Sequence, residues 1–210
     1  MSYRNIILFF IFFIIISPFE GQKGDEMSPY QEYLLQLKEY RKNCRNALKP
    51  FRYDGSLTTH FSYKDYTYIK EIEIATIQNE IYRLSFNAMG IMDDGITIKI
   101  YDKPKKYNKR TLLYEKENVT GSEFTLETNE MIDIFKQAKR EQGYEEKVVT
   151  HLRLKKLFID YIIPAKERVF ETNDEDGTET KVITKGAVIL AVGYNNPVSY
   201  THLTLPTIVR

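Results

Sequence analysis

Residues 80–115 constrain this chain most, because their side chains alternate. In the run NEIYRLSFNAMG, Tyr82, Leu84, Phe86 and Ala88 fall on one side and Arg83, Ser85 and Asn87 on the other. In ITIKIYDKP, Ile96, Ile98 and Ile100 alternate with Thr97, Lys99 and Tyr101. Successive side chains of an extended backbone point to opposite faces, so a period of two marks a strand with one face buried. Asp93, Asp94 and Gly95 lie between the runs and are tight-turn residues. The two runs are therefore expected to pair as a β-hairpin.

Further strands are legible on both sides. After a short extended link at 51–55, Leu57, Thr59, Phe61 and Tyr63 alternate. Residues 68–77 put Ile72, Ile74 and Thr76 on one face and Glu71 and Glu73 on the other, before a turn at Gln78-Asn79. Residues 112–115 and 123–127 read as shorter strands around Thr120-Gly121. Leu157, Ile159, Tyr161 and Ile163 alternate up to Pro164, and 168–172 with 180–184 form a hairpin around the polar tip NDEDGTE. GAVILAVGY, residues 186–194, is apolar on both faces, as a central covered strand is. About nine or ten short strands separated by turn signals predict a mainly β protein, an antiparallel β-sandwich of the jelly-roll or Greek-key type.

Two segments change period. Over 25–50, Ser28, Pro29 and Gln31 make a capping box with proline at the first helical position. Tyr30, Tyr33, Leu34, Leu37, Tyr40, Cys44, Ala47 and Leu48 follow at three- and four-residue spacing, which predicts one amphipathic N-terminal helix. It is expected to pack on the β domain; docking on a partner or a membrane surface is the sharper alternative. Over 129–142, Met131, Ile134, Phe135 and Ala138 share a face, which predicts a short inserted helix with Asn129 as its cap.

The two ends read differently from the middle. Arg4, the apolar run 6–16 and then Ser17, Pro18 and Gly21 have the layout of a secretory signal peptide over 1–21. The run is shorter than the roughly 17–25 residues a spanning helix needs, and a retained inner-membrane anchor is the alternative. VSYTHLTLPT, residues 198–207, resembles the in-frame translation of a transposase-type sequencing adapter. The expected organisation is a signal over 1–21, a helix over 22–50, a sandwich over 51–196 and an artefactual tail over 197–210. Roughly 175 residues then remain, which suits one domain able to bury close to 70% of its unfolded surface. The location expected is periplasmic or extracellular.

Charge narrows the partners. Thirty basic residues stand against 29 acidic ones, so a nucleic-acid partner is not expected. A membrane would be engaged only through 1–21, and an envelope protein or polysaccharide is the expected kind of partner. The single cysteine, Cys44, allows no internal disulfide and sits on the apolar stripe as a small hydrophobe.

Motifs for chemistry are sparse. His60 and His151 lie far apart with no Cys/His cluster, so no metal is expected. The run 173–177 fails the calcium-loop pattern, because Ile183 stands where the bidentate glutamate belongs. No phosphate loop or nucleotide fingerprint is present, and no cofactor is expected. A carboxylate pair drawn from Glu71, Glu73, Asp93 and Asp94 would serve a glycosidase. The densest basic run, KPKKYNKR, is the candidate binding site: Lys103, Lys105, Lys106, Tyr107, Lys109 and Arg110, with Tyr101 beside it. Tyr63, Tyr66, Tyr68 and Tyr101 are candidates for stacking on sugars.

The segments YRLSF, ITIKIYD, LLYE, FTLE and LFIDYIIP follow one another in an order that resembles the bacterial pre-peptidase C-terminal domain, a small secreted β-sandwich. The resemblance covers about 80–194. The helix at 129–142 and the hairpin at 168–184 depart from that pattern. The resemblance implies a non-catalytic accessory module with no catalytic residues. The expected function is thus an exported, non-catalytic binding or structural module of the cell envelope. The alternative is a secreted carbohydrate-active hydrolase.

Overall fold

The computed structural model describes residues 27–195, apart from 78–79, 90, 92–94, 122, 167–168, 173–178 and 183–184. The predicted signal segment, the turn residues Gln78, Asn79, Asp93 and Asp94, the tip of the 168–184 hairpin and the 197–210 tail lie outside the described residues. The chain folds as two four-stranded antiparallel sheets packed face to face. In order, the elements are α1 (Pro29–Ala47), β1 (Arg52–Ser62), β2 (Tyr68–Ala75), β3 (Ile81–Met89), β4 (Ile96–Tyr101), β5 (Leu112–Val119), β6 (Glu123–Glu127), α2 (Thr128–Glu141), α3 (Glu146–His151), β7 (Lys156–Ile163), β8 (Val169–Thr172), β9 (Glu179–Val182) and β10 (Lys185–Asn195).

One sheet runs β1-β10-β3-β6 and the other β2-β7-β4-β5, while β8 and β9 pair as a separate hairpin. Counting the eight sandwich strands in chain order, the sheets read 1-8-3-6 and 2-7-4-5, the interleaved order of a jelly roll. This order corrects the expected pairing of the 80–115 stretch. β3 and β4 are not hydrogen-bonded to each other; β3 lies between β10 and β6, and β4 lies between β7 and β5. The same holds for β5 and β6, which flank Gly121 but belong to opposite sheets. Alternation fixes which face of a strand is buried, but it is silent about the neighbour. Tyr82, Leu84, Phe86 and Ala88 of β3 and Ile96, Ile98 and Ile100 of β4 still point into one core, now from opposite walls.

That core also takes Leu157, Ile159, Tyr161 and Ile163 from β7 and Val188, Leu190 and Val192 from β10. Each such side chain contributes roughly 1.5–3 kcal/mol when fully buried. β10 is covered on both faces, as its apolar run predicts. Its other face, Ile189 and Ala191, meets Leu37 and Cys44 of α1 and Leu48 at its C-cap. The capping box of α1 is formed: Ser28 Oγ accepts from the Gln31 N–H, and the Gln31 side chain accepts from the Ser28 N–H. The helix lies on the outside of the first sheet and buries Ser85 and Asn87 of β3 beneath it. Arg83 fastens its far end by donating to the Lys49 carbonyl and to Glu127, with its guanidinium over Phe51.

Three further details differ from the sequence reading. The link at 51–55 is already strand, with an irregularity at Asp54 that lets β1 run for 11 residues. The inserted helix α2 starts one residue early, and Asn129 is not its cap. A third short helix, α3, follows it; six residues are too few to show a helical period.

Candidate functional site

The basic run 103–110 lies on the loop joining β4 to β5, and the loop folds over the outer face of the second sheet. Asp102 and Thr111 close its base, with the Thr111 N–H donating to Asp102 Oδ1 at 2.6 Å. Arg110 reaches down to Asp160 Oδ2 at 2.8 Å and lies 3.7 Å from Glu71 Oε2 and 3.7 Å above the Tyr101 ring. The Lys105 backbone N–H donates to Glu71 at 2.5 Å, and Lys103 donates to the Lys109 carbonyl. The structure thus separates the seven candidates. Tyr101 and Arg110 belong to a clamp that holds the loop. Lys103 is half-buried. Lys105, Lys106, Tyr107 and Lys109 remain exposed at the tip.

The clamp's central residue, Asp160, was missed because it sits on the outward side of an apolar strand and reads as solvent-facing. The loop covers it, leaving it 1% exposed. The signal was available: one acid within LFIDYII. Of the candidate carboxylates, Glu71 serves the clamp and Glu73 pairs with Lys156 at 2.5 Å. Among the described residues, no three His, Cys, Asp or Glu side chains converge as a metal would require.

A second arrangement is more open. The apolar stripe of α1 is covered only over its C-terminal half. Leu37, Cys44 and Leu48 are buried, whereas Tyr30 is 68% and Leu34 43% exposed. The N-terminal turns therefore overhang the ends of β1 and β10 and the start of β2. Beneath them runs a groove of about 960 Å³, near the upper end of the roughly 300–1,000 Å³ usual for ligand sites. Tyr30, Tyr33 and Tyr40 come from the helix and Tyr68 from β2; Lys64, Lys70 and Lys185 supply positive charge, and none of the described residues lining it is acidic.

The groove's walls are partly fixed by hydrogen bonds. The Tyr33 hydroxyl pairs with His60 Nδ1 at 2.9 Å. Lys70 donates to the His60 carbonyl, and Tyr68 donates to the Ser62 carbonyl at 2.6 Å. The Lys64 ammonium lies 4.6 Å from the Tyr68 ring centre and 5.0 Å from that of Tyr66. Its hydrogen bond to the Tyr66 hydroxyl raises the lysine's pKa, so the charge is held. The floor is built by close packing: a Cβ on Gly186 would stand 2.8 Å from Cε2 of Phe61. The side chains of Tyr30, Gln36, Tyr40 and Lys185 make no hydrogen bond among the described residues.

Of the tyrosines singled out for stacking, Tyr68 lines this groove and Tyr66 stands beside it. Tyr63 packs edge-on against Phe61 beneath, and Tyr101 belongs to the loop clamp. Tyr30, Tyr33 and Tyr40 read as core in the sequence because they keep helical spacing. Their hydroxyls were the clue, since a dry stripe favours Leu and Ile. A smaller cavity of about 330 Å³ lies between α2, the end of β2 and residues 152–155, and it is mostly apolar. No protein-family model matches the chain, and no curated protein matches it.

Proposed function

We propose that this chain is a non-catalytic binding module of an exported cell-envelope protein, and that it holds its ligand in the groove between α1 and the β1–β10 edge. The carrying observation is the groove itself: four tyrosines and three lysines around a trough, with no acidic group among the described residues that line it. Aromatic surfaces offer apolar platforms with a polar edge, which suits hydroxylated ligands such as sugars. General acid–base cleavage of a glycoside needs two carboxyl groups flanking the bond, and the described lining residues supply none. Glu71 and Glu73 are engaged in ion pairs on the opposite sheet. The resemblance of β3 to β7 to a secreted accessory sandwich points to the same class, and the apolar run at 6–16 supports export.

The reading is tested by titrating a panel of neutral and acidic cell-wall oligosaccharides into isotope-labelled protein while following the sugars by chromatography. Shifts confined to groove residues, with every oligosaccharide recovered intact, are expected. Cleavage of any sugar, or a panel that leaves the groove resonances unmoved, would refute it.

A further inference from the structure

We infer that the groove's ligand is an acidic polysaccharide, a chain of sugar rings carrying carboxylates. The inference rests on the reading of the groove as the binding surface and names what that surface selects. Three ammonium groups, Lys64, Lys70 and Lys185, come from three different strands or turns and converge on one trough. The chain as a whole is almost neutral, with 30 basic and 29 acidic residues. A local excess of one sign on a balanced molecule is therefore a property of this site, even with Asp65 beside Lys64, and an excess of positive charge favours an anionic partner.

The nature of the anion follows from what accompanies the lysines. Tyr30, Tyr33, Tyr40 and Tyr68 all line the trough. A repeating chain of apolar ring faces edged with hydroxyls matches an aromatic lining of this kind. The free groups answer the same ligand. The Tyr40 hydroxyl and the Gln36 amide are available to sugar hydroxyls, and the exposed Lys185 to a carboxylate. An acidic polypeptide would satisfy the lysines and leave the tyrosine lining without its match.

The test compares oligogalacturonate with its fully methyl-esterified counterpart, which keeps the rings and removes the charge, and with poly-L-glutamate, which keeps the charge and removes the rings. The isolated protein is titrated with each by calorimetry and by residue-resolved NMR. Oligogalacturonate is expected to bind in the groove, weakening as salt is raised. The esterified chain should bind about tenfold more weakly, the scale of three exposed ion pairs. A K64Q/K70Q/K185Q variant should lose the same factor while retaining its circular dichroism, and K105Q/K106Q/K109Q, on the β4–β5 loop, should bind as the parent does. Equal binding of the esterified chain overturns the acidic inference and leaves the groove as a neutral-sugar site. Poly-L-glutamate binding as tightly as oligogalacturonate, or loss of binding in the loop variant alone, also overturns it. If no sugar moves a groove resonance, the underlying reading falls as well.

Discussion

Replacing Arg110 by methionine tests the division between structural clamp and exposed tip on the β4–β5 loop. The substitution keeps most of the stem and removes the charge. Asp160, 1% exposed, then loses the one cation bonded to it among the described residues, where its Oδ1 already lacks a partner. Glu71, 3.7 Å from the same guanidinium, is left facing it without a counter-charge. Removing one partner of a buried ion pair costs about 3–5 kcal/mol. The contact with Tyr101, worth about 0.5–2 kcal/mol where desolvated, falls within that range. For a domain of this size, this corresponds to a fall in Tm of about 6–20 °C. Urea denaturation of Arg110→Met, Asp160→Asn and the double variant completes a cycle. The double variant should recover about 1–3 kcal/mol relative to Arg110→Met, because no charge is left buried without a partner. Lys106→Ala and Lys109→Ala, at the exposed tip, should stay within about 0.5 kcal/mol of the parent. An Arg110→Met cost below about 0.5 kcal/mol, or strict additivity in the cycle, would refute the clamp.

Two other perturbations follow from the backbone and the buried thiol. Gly95 has φ +64°, and a Cβ there would lie 2.7–2.9 Å from backbone atoms of Asn118 and Val119; Gly95→Ala should cost about 2–4 kcal/mol by thermal unfolding. Gly121, at φ +42° with open space around it, carries only the conformational part; Gly121→Ala should cost about 1–2 kcal/mol, and equal losses at the two sites would contradict the steric argument. Burial pushes the Cys44 thiol from 9.0 up to about 11. Because the folded pKa is the higher one, the associated stability is present below pH 9 and drains as pH rises toward 11. The stability gap between the parent and Cys44→Ala should therefore shrink by about 2 kcal/mol from pH 8 to pH 11. A gap that stays constant with pH would show that the thiol ionises freely in the fold.

What could be read from the chain and what could not divide along one physical line. A period of two or of 3.6 is a local property, and it sufficed for the faces of β3, β4, β7 and β10, for α1 with its capping box, and for the β-sandwich class. Register and partner are not local. The alternation of Ile96, Ile98 and Ile100 is the same whether β4 pairs with β3 or faces it across the core, and only the fold placed them on opposite walls. Burial of polar groups was hidden for the same reason. Asp160 is exposed by pattern and covered by a loop that arrives from 50 residues earlier. The groove shows the converse. The sequence made α1 one continuous apolar stripe, but the sheet beneath ends before the helix does, so Tyr30 and Leu34 are left exposed beside lysines from the β1–β2 link, β2 and β10. Composition and periodicity determined that this chain builds a sandwich with a helix against it. Where the helix overhangs, and so where a ligand has room, was decided by the lengths and order of the strands in three dimensions.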